Sequence, residues 1–281
     1  MRTDIHLLRV LRVCAACVIA LLLIVIVFLI HESWPVLREV GIARFVMDRE
    51  WHPTEASFGM LPMLSASLAA SVGALLLAGP LGIGGAVFCC LYAPQSLARS
   101  YKRILAVLAG IPSVVFGFWG LTVLVPLIAR WEPPGASLLA GIVILALMIL
   151  PTVTLTSEAA LAAVPKTYIS GAQALGLSRG AIVLGVVLPA ARGGIVAGVV
   201  LALARALGET MAVVMVSGNI SQVPTSLFDP VRTLTANIAL EMAYAVGNHR
   251  SALYVSGLLL IAVVCMLVAL SQRFSGALHH A

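Results

Sequence analysis

Arg205 and Glu209 are two charges inside an otherwise apolar run, residues 194–217. They lie about 11 residues beyond its start, roughly 16 Å at 1.5 Å per residue. Neither can snorkel easily to an interface, and a charge at the centre of a spanning helix costs about 2.5–3.5 kcal/mol on insertion scales. Each therefore needs a partner or a water-filled path. Spaced i and i+4, they would share one face of a continuous helix. Two chemistries fit. One is a self-neutralising pair that merely survives burial. The other is a translocation site, in which the guanidinium fork of Arg205 offers donors to two oxygens of an oxyanion and keeps its charge at physiological pH. In that reading Glu209 holds Arg205 while the path is empty and yields it when the anion arrives. Ser113, Thr210 and Thr233 could donate further hydrogen bonds, although a hydroxyl on a membrane helix more often bonds its own backbone.

Other reactive side chains are poorly arranged for chemistry. Cys14, Cys17, Cys89, Cys90 and Cys265 fall within apolar runs, where cysteine is usually a small hydrophobe, so neither a disulfide framework nor a redox motif is expected. The histidines lie outside every predicted span and no Asp lies within one, which leaves intramembrane proteolysis without a dyad. Gly-x-x-x-x-Gly-Lys-Ser/Thr is absent, so the chain holds no P-loop of its own. No metal or cofactor is expected.

The elements that must position Arg205 are membrane helices. Of 281 residues, 61% are apolar and 10% charged, against roughly 45–50% and about 25% in soluble domains. A soluble enzyme and a disordered chain are both excluded, and lipid must be one solvent. Apolar runs of spanning length occur near 11–30, 62–90, 104–128, 138–155, 194–217 and 252–271, predicting one all-α polytopic domain of six transmembrane helices. Pro80 with Gly82, Gly84 and Gly85 predicts a tilted or broken second helix. The first run follows Arg2, Arg9 and Arg12, is long for a signal peptide and lacks a small-residue cleavage site, so it reads as a retained anchor.

The net charge of +6 has a membrane explanation, since no basic cluster stands beside aromatic platforms as nucleic-acid binding would require. With both termini cytoplasmic, the inner segments carry Arg2, Arg9, Arg12, Arg99, Lys102, Arg103, Lys166, Arg179, Arg192 and Arg273 against only Asp4 and Glu158. The outer segments carry more acids than bases, as the positive-inside rule expects. After the fifth run, DPVRTLTANIALEM predicts a short outer helix with Asp229 as N-cap, Pro230 at the first helical position and an apolar stripe of Val231, Leu234, Ile238 and Met242. Arg232, Thr235 and Glu241 would lie on its other faces. Arg232 is either a guide for an anion at the outer mouth, a contact for a binding protein, or a solvated charge.

The inner stretch 157–192 is too apolar for a passive linker. Ile169, Ala172, Leu175 and Gly176, then Ile182 and Val186, give helical spacing on either side of Gly176-Leu177-Ser178-Arg179-Gly180. The expected form is helix, turn, helix: a knob for a cytosolic partner's groove, or an interfacial helix on the bilayer.

Ser170-Gly171-Ala172, Gly176 and Leu188-Pro189 match the spacing of the EAA loop of ABC importer permeases, with Ser170, Gly171 and Val186 in place of the usual Glu, Ala and Ile. LAGIPSVVFG (108–117), RALGETMAV (205–213) and LTANIA (234–239) resemble the phosphate-specific (Pst) permeases, and Thr210-Met211-Ala212-Val213 resembles their C-type subunit. The resemblance runs from Trp51-His52-Pro53 and Phe58-Gly59 onward. It implies a type I ABC importer permease fold in a bacterial inner membrane, with no enzymatic activity of its own. It also implies a sister permease subunit, two copies of a cytosolic ATP-binding subunit and an extracytoplasmic phosphate-binding protein. Inorganic phosphate would pass Arg205 and Glu209, and 170–176 with 188–189 would couple to the ATPase. The competing readings are a permease for sulfate, molybdate or phosphonate; a secondary transporter or channel, which should show inverted repeats; and a membrane scaffold.

Overall fold

The structure, a computed structural model, describes residues 2–276. His279 and His280 lie outside the described residues, as do the side chains of Arg2, Asp4, His6 and Arg273. The helices are α1 (Arg2–Val40), α2 (Ile42–Met47), α3 (Leu61–Leu91), α4 (Gln95–Gly110), α5 (Ser113–Trp119), α6 (Val125–Ala129), α7 (Leu138–Ala162), α8 (Lys166–Ala174), α9 (Arg179–Ile182), α10 (Leu188–Gly208), α11 (Met211–Val216), α12 (Leu234–Glu241) and α13 (Gly247–Gly276). One small hairpin, β1 (Trp51–His52) against β2 (Ser57–Phe58), interrupts the helices.

Among the described residues, five helices are long and apolar enough to cross a membrane: Leu7–Val40, Leu61–Leu91, Leu138–Ala162, Arg179–Gly208 and Gly247–Ser271. The third expected span, 104–128, is not one helix. α4 and the α5–α6 segment meet at a bend of 92° at Ile111-Pro112. Proline's ring excludes the α conformation at the residue before it, and Ile111 is extended (φ −68°, ψ 128°). Of the two forms expected for the second span, tilted or broken, the break does not occur: α3 runs unbroken through Pro80. Its glycines serve packing instead. A Cβ at Gly82 would stand 2.8 Å from Val153 Cγ1, and one at Gly85 would stand 2.5 Å from the Tyr101 hydroxyl. Two histidines also fall within longer spans than expected, His31 in α1 and His249 in α13.

The centre of the bundle is a small-residue seam. Ala66, Ala70, Ala74 and Ala78 repeat every four residues along α3 and are buried with Ile142, Leu145, Ile149 and Val153 of α7 and Ala202 and Ala206 of α10. In lipid, such close approach of backbones replaces the hydrophobic drive that water would supply. A second cluster gathers Val36, Phe45, Trp51, Phe58, Met60, Leu234 and Leu253, fastening α1 and the hairpin to α12 and α13.

Two helices carry a single π turn, at 120–124 between α5 and α6 and at 183–187 between α9 and α10. Each ends two residues before a proline, Pro126 or Pro189. Such a proline gives no N–H to the carbonyl four residues back and its ring crowds that carbonyl, which the wider turn accommodates.

Candidate functional site

α10 stops at Gly208, and the chain runs extended through Glu209 (φ −70°, ψ 131°) before α11 begins after Thr210. The expected continuous helix over 194–217, and with it the shared i, i+4 face, is therefore corrected. Arg205 sits in the last turn of α10, where a cation meets the negative end of the helix dipole. Glu209 has left the helix, and among the described residues no ion pair joins the two. The Glu209 carboxylate caps α11 instead, accepting from the Ala212 N–H at 3.3 Å, while its carbonyl accepts from the Thr235 hydroxyl at 2.8 Å. The Thr210 hydroxyl donates to the Gly208 carbonyl at 3.3 Å.

Arg205 reaches across to α7, where its Nη1 donates to Thr152 Oγ1 at 3.3 Å. Thr152 lies about 21 Å along a helix of roughly 37 Å at 1.5 Å per residue, close to mid-depth. The guanidinium is exposed on the surface of this chain. Ser113 opens α5, which packs on α11 with the two helices in parallel register: a Cβ at Gly117 would stand 2.9 Å from Ala212 Cα, and one at Gly120 would stand 2.7 Å from Val216 Cγ1. Ser113 is thus one turn before the first of these contacts, level with the 208–210 break. The fold keeps Arg205, Glu209 and Thr210 at the α10–α11 break and places Ser113 at the start of the helix that packs on α11.

Arg232 belongs elsewhere, while Thr233 stands between the two places: its hydroxyl lies 3.2 Å from that of Thr235, which bonds the Glu209 carbonyl. α12 begins at Leu234 with Thr233 as N-cap, its hydroxyl accepting from the Ala236 N–H at 3.3 Å, which corrects the expected start at Asp229-Pro230. Val231 is consequently not on that helix; it bridges to Gly218. Asp229 closes its own loop, accepting from the Thr225 and Ser226 N–H groups and the Thr225 hydroxyl at 2.7–2.8 Å. These donors hold its carboxyl below the usual carboxylate range. Arg232 is not a solvated charge. Its Nη1 donates to Glu241 Oε1 at 2.6 Å and Asn237 Oδ1 at 3.1 Å, and its Nε donates to the Asn219 carbonyl at 2.9 Å. Glu241, buried rather than on a free face, accepts in addition from Trp51 Nε1 at 2.9 Å and lies 2.8 Å from His249 Nε2. A pocket of about 510 Å³ opens beside this cluster, lined by Arg49, His52, Ser221 and Arg232 among others.

The coupling segment has the expected helix, turn, helix form with shifted limits. α7 continues to Ala162, α8 follows after Pro165, and beyond Gly176 (φ +75°) the second helix runs on into the membrane as α9–α10. Ala172 is buried with Leu161, Val164, Ile182 and Val187. A side chain at Gly171 or Gly176 would meet nothing within 4 Å, so both present open backbone. The Ser170 hydroxyl donates to the Thr167 carbonyl at 3.2 Å. Leu188 and Pro189 open α10, and Pro189 faces a cleft of about 620 Å³ shared with Val164, Tyr168 and Arg192. Leu175 is 81% exposed at the tip.

Sequence reasoning missed Thr152 and the role of Glu241. In P-T-V-T-L-T nothing separates Thr152 from its neighbours; only the fold shows that Thr154 and Thr156 donate to carbonyls of their own helix while Thr152 meets the guanidinium. Glu241 and Trp51 are 190 residues apart, beyond any local pattern.

Residues 78–277 match the protein family described as "Binding-protein-dependent transport system inner membrane component". The chain is 37% identical to a probable ABC transporter permease protein, YqgH, of Bacillus subtilis, over 93% of this chain and 87% of that protein. It is 36% identical to the phosphate transport system permease protein PstC of Mesorhizobium japonicum, over 93% and 86% of the two chains. Among solved structures it resembles an inward-facing MetNI methionine ABC transporter chain, with a TM-score of 0.65, 20% identity, and coverage of 82% of this chain and 99% of that one.

Proposed function

This chain belongs to the binding-protein-dependent transport system inner membrane components, and from that premise we propose that it forms half of a pathway for inorganic phosphate across a bacterial inner membrane. Both termini are cytoplasmic in this reading, which the distribution of Lys and Arg supports. The Arg232–Glu241 end is then extracytoplasmic and faces a phosphate-binding protein.

The observation that carries the proposal is Arg205: a permanent cation near mid-depth, exposed, without a carboxylate partner among the described residues, and held at one nitrogen by a neutral hydroxyl. Its remaining donors suit phosphate oxygens. Thr152 orients the fork without neutralising it, so the site attracts an anion without first having to displace another. Glu209 and Thr210 shape the break beside it, and Ser113 adds a hydroxyl at the same level. The exposed face of Arg205 is completed by a sister permease. At the other end, the turn at 175–176 enters a groove of a cytosolic ATP-binding subunit, one of two copies, and ATP hydrolysis there rocks α10 through α8 and α9. Arg232 with Arg49 and His52 lines the outer mouth.

The test is ATP-dependent phosphate uptake in proteoliposomes carrying this chain with its co-purifying subunits and binding protein, with sulfate and molybdate as competitors. Uptake should require ATP, resist both competitors and collapse in Arg205→Gln. Thr152→Val should lower uptake several-fold at limiting phosphate and Thr152→Ser should restore it. ATP-driven uptake of another oxyanion would replace the substrate, and uptake without ATP would refute the reading.

A further inference from the structure

α4 has three distinct sides at 3.6 residues per turn. One packs inward: Leu105 is buried, Tyr101 lies against Gly85 of α3, and Lys102 forms an ion pair with Glu158 of α7. A second side is apolar and uncovered, with Leu97 48%, Ile104 65% and Val107 69% exposed. The third side carries Arg99 and Arg103, one turn apart, both exposed and without a hydrogen bond or ion pair among the described residues. The helix lies 92° from the α5–α6 segment that follows it. It leaves the end of α3 and touches α7 one turn before that helix ends, at the level of the Lys102–Glu158 pair.

A helix that starts beside the end of α3 and is pinned near the end of α7, with one apolar edge and one cationic edge side by side, matches the boundary between acyl chains and headgroups. The apolar edge dips among the acyl chains and the cationic edge stands at headgroup level. We infer that α4 is a binding surface for anionic phospholipid, with Arg99 and Arg103 clasping the headgroup phosphate while Leu97, Ile104 and Val107 lie on its acyl chain. Arginine suits the task because its planar fork takes two phosphate oxygens at once. The Lys102–Glu158 pair ties this surface to the end of α7, which leads through Pro165 into α8, so a bound lipid steadies the root of the coupling element.

The complete transporter is placed in nanodiscs containing photoactivatable phosphatidylglycerol or photoactivatable phosphatidylcholine, and adducts within 95–110 are quantified by peptide mass spectrometry. Both leaflets carry the probe, so the outcome does not depend on which way the chain faces, and uptake is not the readout. Wild type should favour phosphatidylglycerol by about fivefold for each arginine. Arg99→Gln/Arg103→Gln should fall towards parity with thermal stability unchanged, and Arg99→Lys/Arg103→Lys should keep most of the preference. Parity in wild type, an undiminished preference in the glutamine variant, or adducts confined to a neighbouring protein subunit would each overturn the inference.

Discussion

Glu241 gathers Trp51, Arg232 and His249 on one buried carboxylate, and Glu241→Gln tests the account of the Arg232 end. The wild-type carboxylate is 9% exposed, Arg232 is 19% exposed, and Trp51 and His249 share the second carboxylate oxygen. A glutamine keeps one oxygen for Arg232 or for Trp51 and His249, and turns an NH₂ towards the other donors. Breaking a buried ion pair by removing one partner costs about 3–5 kcal/mol. Arg232 keeps Asn237, the Asn219 carbonyl and an open pocket at its side, so about 2–3 kcal/mol is the better expectation here. At roughly 2 °C per kcal/mol for a chain of this length, the assembled transporter in detergent should unfold about 5 °C lower. Trp51→Phe keeps the ring in its apolar cluster and loses one hydrogen bond, so it should cost about 1 kcal/mol and less than half that shift. A Glu241→Gln transition within 1 °C of wild type, or a larger loss in Trp51→Phe than in Glu241→Gln, would refute the ordering of these interactions.

Three further outcomes are expected. A Cβ at Gly198 would stand 2.7 Å from Thr156 Cβ, and the Thr156 hydroxyl is tied to the Thr152 carbonyl, so Gly198→Ala should destabilise the α7–α10 contact by about 1–3 kcal/mol in a thermal-shift assay; Thr156→Ala should recover most of it. Gly176 has φ +75° and open surroundings, so its requirement is conformational: Gly176→Asn should preserve co-purification of the ATP-binding subunit and Gly176→Val should reduce it severalfold. Asp229 has a lowered folded-state pKa, so its contribution is present above the ordinary carboxylate pKa and lost as pH falls through the depressed value. Hydrogen exchange of the Thr225 and Ser226 amides, corrected for intrinsic rates, should rise over that acid range in wild type and already be raised at neutral pH in Asp229→Asn.

Lipid-length apolar runs were legible because the bilayer imposes length and hydropathy directly on the chain. The glycine turn at 176 was legible for a similar reason, since it is a local backbone requirement. What local pattern could not show was where a helix stops within an apolar run. Hydropathy is indifferent to Pro80, which α3 absorbs, and to Pro112, which turns the chain by 92°. It is equally silent at Gly208-Glu209, where Thr235, 26 residues away, stabilises the extended carbonyl. Arg205 was conspicuous as a charge in an apolar run, but its partner depended on α7 packing against α10, and an i+4 neighbour was the only one a linear reading could offer. Trp51, picked out by its motif, showed nothing of the buried carboxylate it meets.

The π turn at 183–187 has a consequence for how α10 is aimed. A turn with one residue too many shifts the angular phase of all that follows by about 100° relative to an unbroken α-helix. With that phase, Ile182 before the turn and Ala191 and Ile195 after it share one cluster with Leu161, Val164 and Ala172, while Ala202 and Ala206 further on settle against α3 and α7. The surplus residue acts as a vernier between a part that must fit a partner and a part that must point a guanidinium. Removing one residue there would leave a helix of normal form and hydropathy whose Arg205 faced about a quarter-turn away from Thr152.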